Sequence, residues 1–183
     1  MARSVAARHV VSVLCFIIAA DPRFAAAANM RSFIEAVRLK APVVYVGRVR
    51  EVQLLRRTKF DIKARAIVDI IAVTRTPGPK PPEATFEYST YDLTTPILAG
   101  GPQYQLEAGV KVVVFANSFA GSVPPGYLVQ GTLDELLERI EALRDRLAHM
   151  SPAQLTLNEI NEQDRRIQLD VYDKLTNDLR SKR

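Results

Sequence analysis

Arg48, Arg50, Arg56, Arg57, Lys59, Lys63 and Arg65 fall within the eighteen residues 48–65, opposed there only by Glu51 and Asp61. Cations at this density can attract an anionic polymer or membrane surface, because their fields add over a short stretch of chain. The same pattern also describes the wet face of a β-sheet, where lysine and arginine discourage edge-to-edge pairing. Stacking of nucleic-acid bases needs aromatic platforms beside the cations. The stripe offers only Tyr45 and Phe60, so platforms would have to come from Tyr88, Tyr91 or Tyr104.

Other chemistries lack their parts. A serine or cysteine nucleophile needs a base within reach, and beyond the first thirty residues the chain has His149 as its one histidine and no cysteine. His149 closes an amphipathic segment beside Met150, a place where a cation suits a helix C-terminus. A zinc site would need three or four Cys, His or carboxylate ligands. No calcium loop of the DxDxDG kind is present, and "AGGPQ" and "PGPKPP" lack the spacing of phosphate-binding loops. No metal or cofactor is therefore expected. Two carboxylates suffice for glycoside hydrolysis, but Asp61 and Asp69 would lie about 26 Å apart on one strand. Glu87 and Asp92 are unconstrained, which leaves a carboxylate enzyme as a remote alternative to a non-enzymatic module.

The elements that must carry these residues begin after residue 28. Arg3 and Arg8 precede an apolar run from Val10 to Ala20, and "FAAAANM" offers small-residue cleavage sites after Ala27 or Ala28. This is the pattern of a secretory signal peptide, and it predicts a secreted or periplasmic protein with residues 1–28 removed. The apolar run is interrupted by "DPR" before it reaches the about 20 residues of a membrane span. Cys15 lies inside this segment, after Leu14, which is not the small residue a lipoprotein acceptor needs. Export would also remove Arg3, Arg8 and Arg23 with Asp21, lowering the formal charge of +5 to about +3. The remaining chain, about 155 residues, can bury one core.

"NMRSFIEAVRLKAP" places Met30, Phe33, Ile34 and Val37 on one helical face that Pro42 ends. Val43–Leu55 and Lys59–Thr74 are rich in β-branched residues and flank "LRRT", as in a long hairpin. In the second strand Phe60, Ile62, Ala64, Ala66, Val68 and Ile70 share one parity. Lys59, Asp61, Lys63 and Arg65 share the other, and from Ile67 that side turns apolar too, as if a helix covered it. "ATFEYSTYD", "VKVVVFANS" and "YLVQ" complete five strands. "GTLDELLERIEALRDRLAHM" then shifts to helical period, with Thr132 and Glu135 as a capping box and Leu133, Leu136, Leu137, Ile140, Leu143 and Leu147 as its stripe. Ser151 and Pro152 open a second helical segment carrying Leu157, Ile160, Ile167, Val171, Leu175 and Leu179. It could fold back, project, or pair with a second copy, with Ile160, Ile167, Val171 and Leu175 as its interaction face.

"APVVYVGRVREV", "FDIKARAIVDIIAV", "LEAGVKVVVFANS" and "GYLVQGTLDELLERIEAL" together resemble bacterial relatives of the tissue inhibitors of metalloproteinases and the netrin module, over about Met30 to Leu147. The resemblance implies a five-stranded barrel of the oligonucleotide/oligosaccharide-binding (OB) type, closed by helices. It does not carry metalloprotease inhibition, because this chain has neither the zinc-chelating N-terminal cysteine nor the disulfides of the eukaryotic inhibitors. Gly47 would serve the bend of a coiled first strand.

The expectation is a mainly β protein with flanking helices. It comprises an OB-like barrel at 29–150 and a C-terminal helix at 151–183, acting as an exported binding or interaction module. Its partner would be a protein or envelope component. The export signal argues against nucleic acid and favours anionic lipid or glycan surfaces, reached through the stripe.

Overall fold

The computed structural model describes residues 34–59, 61–92, 103–122 and 128–183. The expected signal peptide, and Phe60 of the second strand, lie outside the described residues. Helical residues 34–40 (α1) lead into β1 (Val43–Arg57), β2 (Ile62–Arg75), β3 (Glu83–Thr90), β4 (Lys111–Ala116), β5 (Ala120–Ser122) and β6 (Leu128–Gly131). Three helices follow: α2 (Leu133–Ala148), α3 (Pro152–Leu157) and α4 (Glu162–Ser181).

The strands form one six-stranded mixed sheet in the order β5-β3-β2-β1-β4-β6, antiparallel except where β3 meets β5. The sixth strand is Ala120–Ser122, which the sequence places in a loop. Three residues are too few to show a period of two, so only their pairing with Thr85, Phe86 and Glu87 defines them as a strand. No pairing joins β5 to β6 among the described residues, so the sheet is open, and the closed five-stranded barrel expected from sequence is not seen.

The sheet is nevertheless strongly curled. Ala116 ends β4 and Ala120 begins β5, a reach of at most about 14 Å for four residue steps. The same two strands stand four places apart in the sheet order, about 19 Å if the sheet were flat. Tyr45 of β1 and Phe119 beside β5 accordingly meet across the concave side, with ring centroids 5.6 Å apart. Four register shifts along the β1–β2 hairpin supply the coiling.

Gly47 sits at one of those shifts. A Cβ there would stand 2.2 Å from Val68 Cγ1 and 3.0 Å from the Asp69 carbonyl oxygen. The glycine is required by the close approach of two backbones.

β1 from Val43 to Val46 and β4 from Val112 to Ala116 are buried at both parities. A strand reads this way when both faces are covered. The convex side is covered by helices, with Phe115 in edge-to-face contact with Tyr172 of α4 at 6.5 Å. α4 lies against β2 and β1, and α2 against β4 and β6. The cover predicted for the far half of β2 is therefore α4, fastened by a hydrogen bond from Thr74 Oγ1 to Asp178 Oδ2 at 2.7 Å.

The α2 capping box forms as its sequence predicts: Thr132 N–H donates to Glu135 Oε2 at 2.8 Å and Glu135 N–H to Thr132 Oγ1 at 3.3 Å. The segment after Ser151 is two helices instead of one. α3 ends in a left-handed turn at Glu159, φ 54°, where Ile160 N–H donates back to the Leu155 carbonyl at 3.0 Å, and Asn161 caps α4. α4 then folds back on α2 and the sheet, joining the same hydrophobic core.

Candidate functional site

The seven cations of the stripe occupy β1, β2 and the turn between them, and the fold sets carboxylates among them that lie far away in sequence. Pairing of β2 with β3 places Asp69 opposite Glu83 and Arg65 opposite Glu87. Arg50 donates to Asp69 at 2.9 Å and to Glu83 at 2.8 Å. The two acids hold its guanidinium above its ordinary pKa, the hydrogen bond to Glu83 being the largest cause. Arg65 pairs with Glu87 at 2.7 Å, Arg56 with Asp61 at 3.1 Å, and Arg57 with Asp92. Lys63 donates to Ser89 Oγ at 2.6 Å and stands 3.9 Å from Asp61. Arg48 is exposed and makes no ion pair among the described residues.

The stripe is therefore a cross-strand ladder of ion pairs in which most cations already have a carboxylate. Such half-exposed pairs each contribute at most about 1 kcal/mol, but together they cancel most of the field that the sequence pattern implies. The pairing of Glu83, Glu87 and Asp92 with the stripe could not be read from sequence, because they belong to β3 and the residues after it. Only the strand register brings them to the stripe.

The hairpin tip differs from the rest. β4 pairs with β1 only as far as Arg48, so the end of β1 runs on with β2 alone on that side. There Leu54 and Leu55 are 64% and 41% exposed, with Arg56, Arg57 and Lys59 next in the chain. The tip thus presents two apolar side chains inside a cluster of cations.

The expected interaction face of the C-terminal segment is mostly internal. Ile160, Val171 and Leu175 are buried in the core, and only Ile167, 44% exposed, faces water. A partner could reach the other three only by displacing α4 from α2 and the sheet. His149 closes α2, its backbone N–H donating to the Asp145 carbonyl at 3.0 Å and its Nδ1 lying 2.8 Å from the same oxygen. Among the described residues no group of three or more His, Cys, Asp or Glu side chains could hold a metal ion. Asp61, Glu87 and Asp92, the acids a carboxylate enzyme would need, are each engaged by an arginine.

No helix among the described residues is long and apolar enough to cross a membrane. Protein-family models and curated proteins yield no match to this chain.

Proposed function

We propose that this protein is an exported, non-enzymatic binding module that docks on anionic membrane surfaces through the tip of the β1–β2 hairpin. The observation that carries the reading is the exposed Leu54–Leu55 pair flanked by Arg56, Arg57 and Lys59. Leucines that enter the headgroup boundary lose water, while neighbouring cations meet the surface potential of acidic lipids. Partial burial of two leucines contributes about 3 kcal/mol, and the one cation in excess at the tip, three against Asp61 and Asp92, about 1 kcal/mol. The sum corresponds to a dissociation constant of roughly 1 mM in accessible lipid, a reversible docking. The stripe nearer the sheet centre serves as a wet, self-neutralised face. The curled sheet is best read as an OB-type barrel whose fifth strand is divided into β5 and β6. Parallel β3–β5 pairing, antiparallel β4–β6 pairing and the mere five residues between β5 and β6 support that reading.

The test is co-sedimentation of the exported form, its N-terminus sequenced, with phosphatidylglycerol and phosphatidylcholine vesicles at low and high salt. Binding is expected only to the acidic vesicles, weakening as salt rises, and at least tenfold weaker in Leu54→Ser/Leu55→Ser. Equal sedimentation of that variant and the parent would overturn the proposal.

A further inference from the structure

Where the residue 103–106 segment and β6 meet α1 and α2, a cleft of about 640 Å³ opens. This is within the range of small-molecule sites, and it shares no residue with the hairpin tip. Its walls are apolar on one side, chiefly Leu128, Val129 and Leu143, and carry three guanidinium groups on the other: Arg38, Arg139 and Arg146. No acid lines it. Glu35 of α1, only 6% exposed, stands behind two of the arginines, paired with Arg146 and 3.7 Å from Arg38. Arg38 is further held over the ring of Phe115, 5.6 Å from its centroid. Arg139 donates to the Gln130 carbonyl at 3.0 Å, which fixes it at the rim. Glu35 and Glu135, the latter within electrostatic reach of Arg139, stand against three guanidinium groups, which leaves the cleft with net positive charge, and guanidinium forks suit a planar anion.

We propose that this cleft is a binding site for a small amphiphilic carboxylate, its anionic group held by Arg139 and Arg146 and its apolar body against Leu128, Val129 and Leu143.

The inference is tested by calorimetric titration of the purified protein with N-decanoylglycine and with its carboxamide. N-decanoylglycine should bind, and the carboxamide at least tenfold more weakly for want of the charge. Arg139→Gln should weaken N-decanoylglycine about tenfold with a nearly unchanged unfolding midpoint, since its side chain is exposed and its contacts are a hydrogen bond to the Gln130 carbonyl and a solvent-screened attraction to Glu135. Arg146→Gln should do the same, although it also removes a partner of Glu35, so Arg139→Gln decides if that variant is unstable. Equal binding of acid and carboxamide, or unaltered binding to Arg139→Gln, would overturn the assignment.

Discussion

Replacing Gly47 by alanine should destabilise this protein sharply although it adds a single methyl group. The new Cβ would lie 2.2 Å from Val68 Cγ1 and 3.0 Å from the Asp69 carbonyl oxygen. Val68 is fully buried in the core and β-branched, so its χ1 cannot turn away freely. The backbone oxygen is held by the β1–β2 pairing on either side. Overpacking of this kind costs about 1–3 kcal/mol, and with two obstacles the upper part of the range, about 2–3 kcal/mol, is expected. For a domain of this size that corresponds to a fall of about 4–12 °C in the unfolding midpoint. The decisive assay is a double-mutant cycle by denaturant unfolding with Gly47→Ala, Val68→Ala and both together. Val68→Ala alone costs stability by opening a cavity. It also removes the nearer obstacle, so Gly47→Ala should cost only about 1 kcal/mol in its presence, giving a coupling of about 1–2 kcal/mol. A single variant within about 0.5 kcal/mol of the parent, or strict additivity of the two changes, would refute the close-approach account of this glycine.

Glu159 holds a left-handed conformation at the end of α3, a site where glycine carries no Cβ penalty. Glu159→Gly should therefore raise stability by about 0.5–1 kcal/mol in denaturant unfolding, and a loss of stability would count against the strain reading. Burial pushes the Tyr172 phenol up to about 12, with the Glu35 carboxylate adding to the effect. Burial likewise raises Tyr88 to about 12. Because the folded state keeps these protons longer than the unfolded chain, their contribution is complete below pH about 10 and is lost as pH rises towards 12. Unfolding free energy should fall over that window by at most about 1.4 kcal/mol per pH unit for each phenol. Tyr172→Phe should flatten the fall, and an unchanged slope would show that this phenol stays protonated in neither state preferentially.

Local chemistry and period were enough to place most elements. The long hairpin follows from β-branched residues either side of "LRRT". The start of α2 follows from Thr132 and Glu135, and the buried and half-buried sides of β2 follow from its alternation. Gly47 announced itself as a glycine inside a strand, although only the neighbouring backbone shows that Val68 and Asp69 are what forbid a side chain there. The split of the C-terminal segment at Glu159 was hidden because its apolar spacing continues on both sides of the break.

What residues 48–65 do was not decidable from their own types. A run of arginine and lysine determines where positive charge sits along the chain, and nothing about which acids will stand opposite. Asp69, Glu83, Glu87 and Asp92 reach those cations only through strand register and curl, which turn an apparent binding stripe into a ladder of ion pairs. The same holds for the cleft under α2. Arg38 of α1 precedes the whole sheet in sequence, whereas Gln130, Arg139 and Arg146 follow on β6 and α2, and packing alone brings the first to the others. Sequence determines local conformation because neighbours along the chain set backbone and caps, whereas charge balance and concavity are properties of groups that meet only after the core has closed.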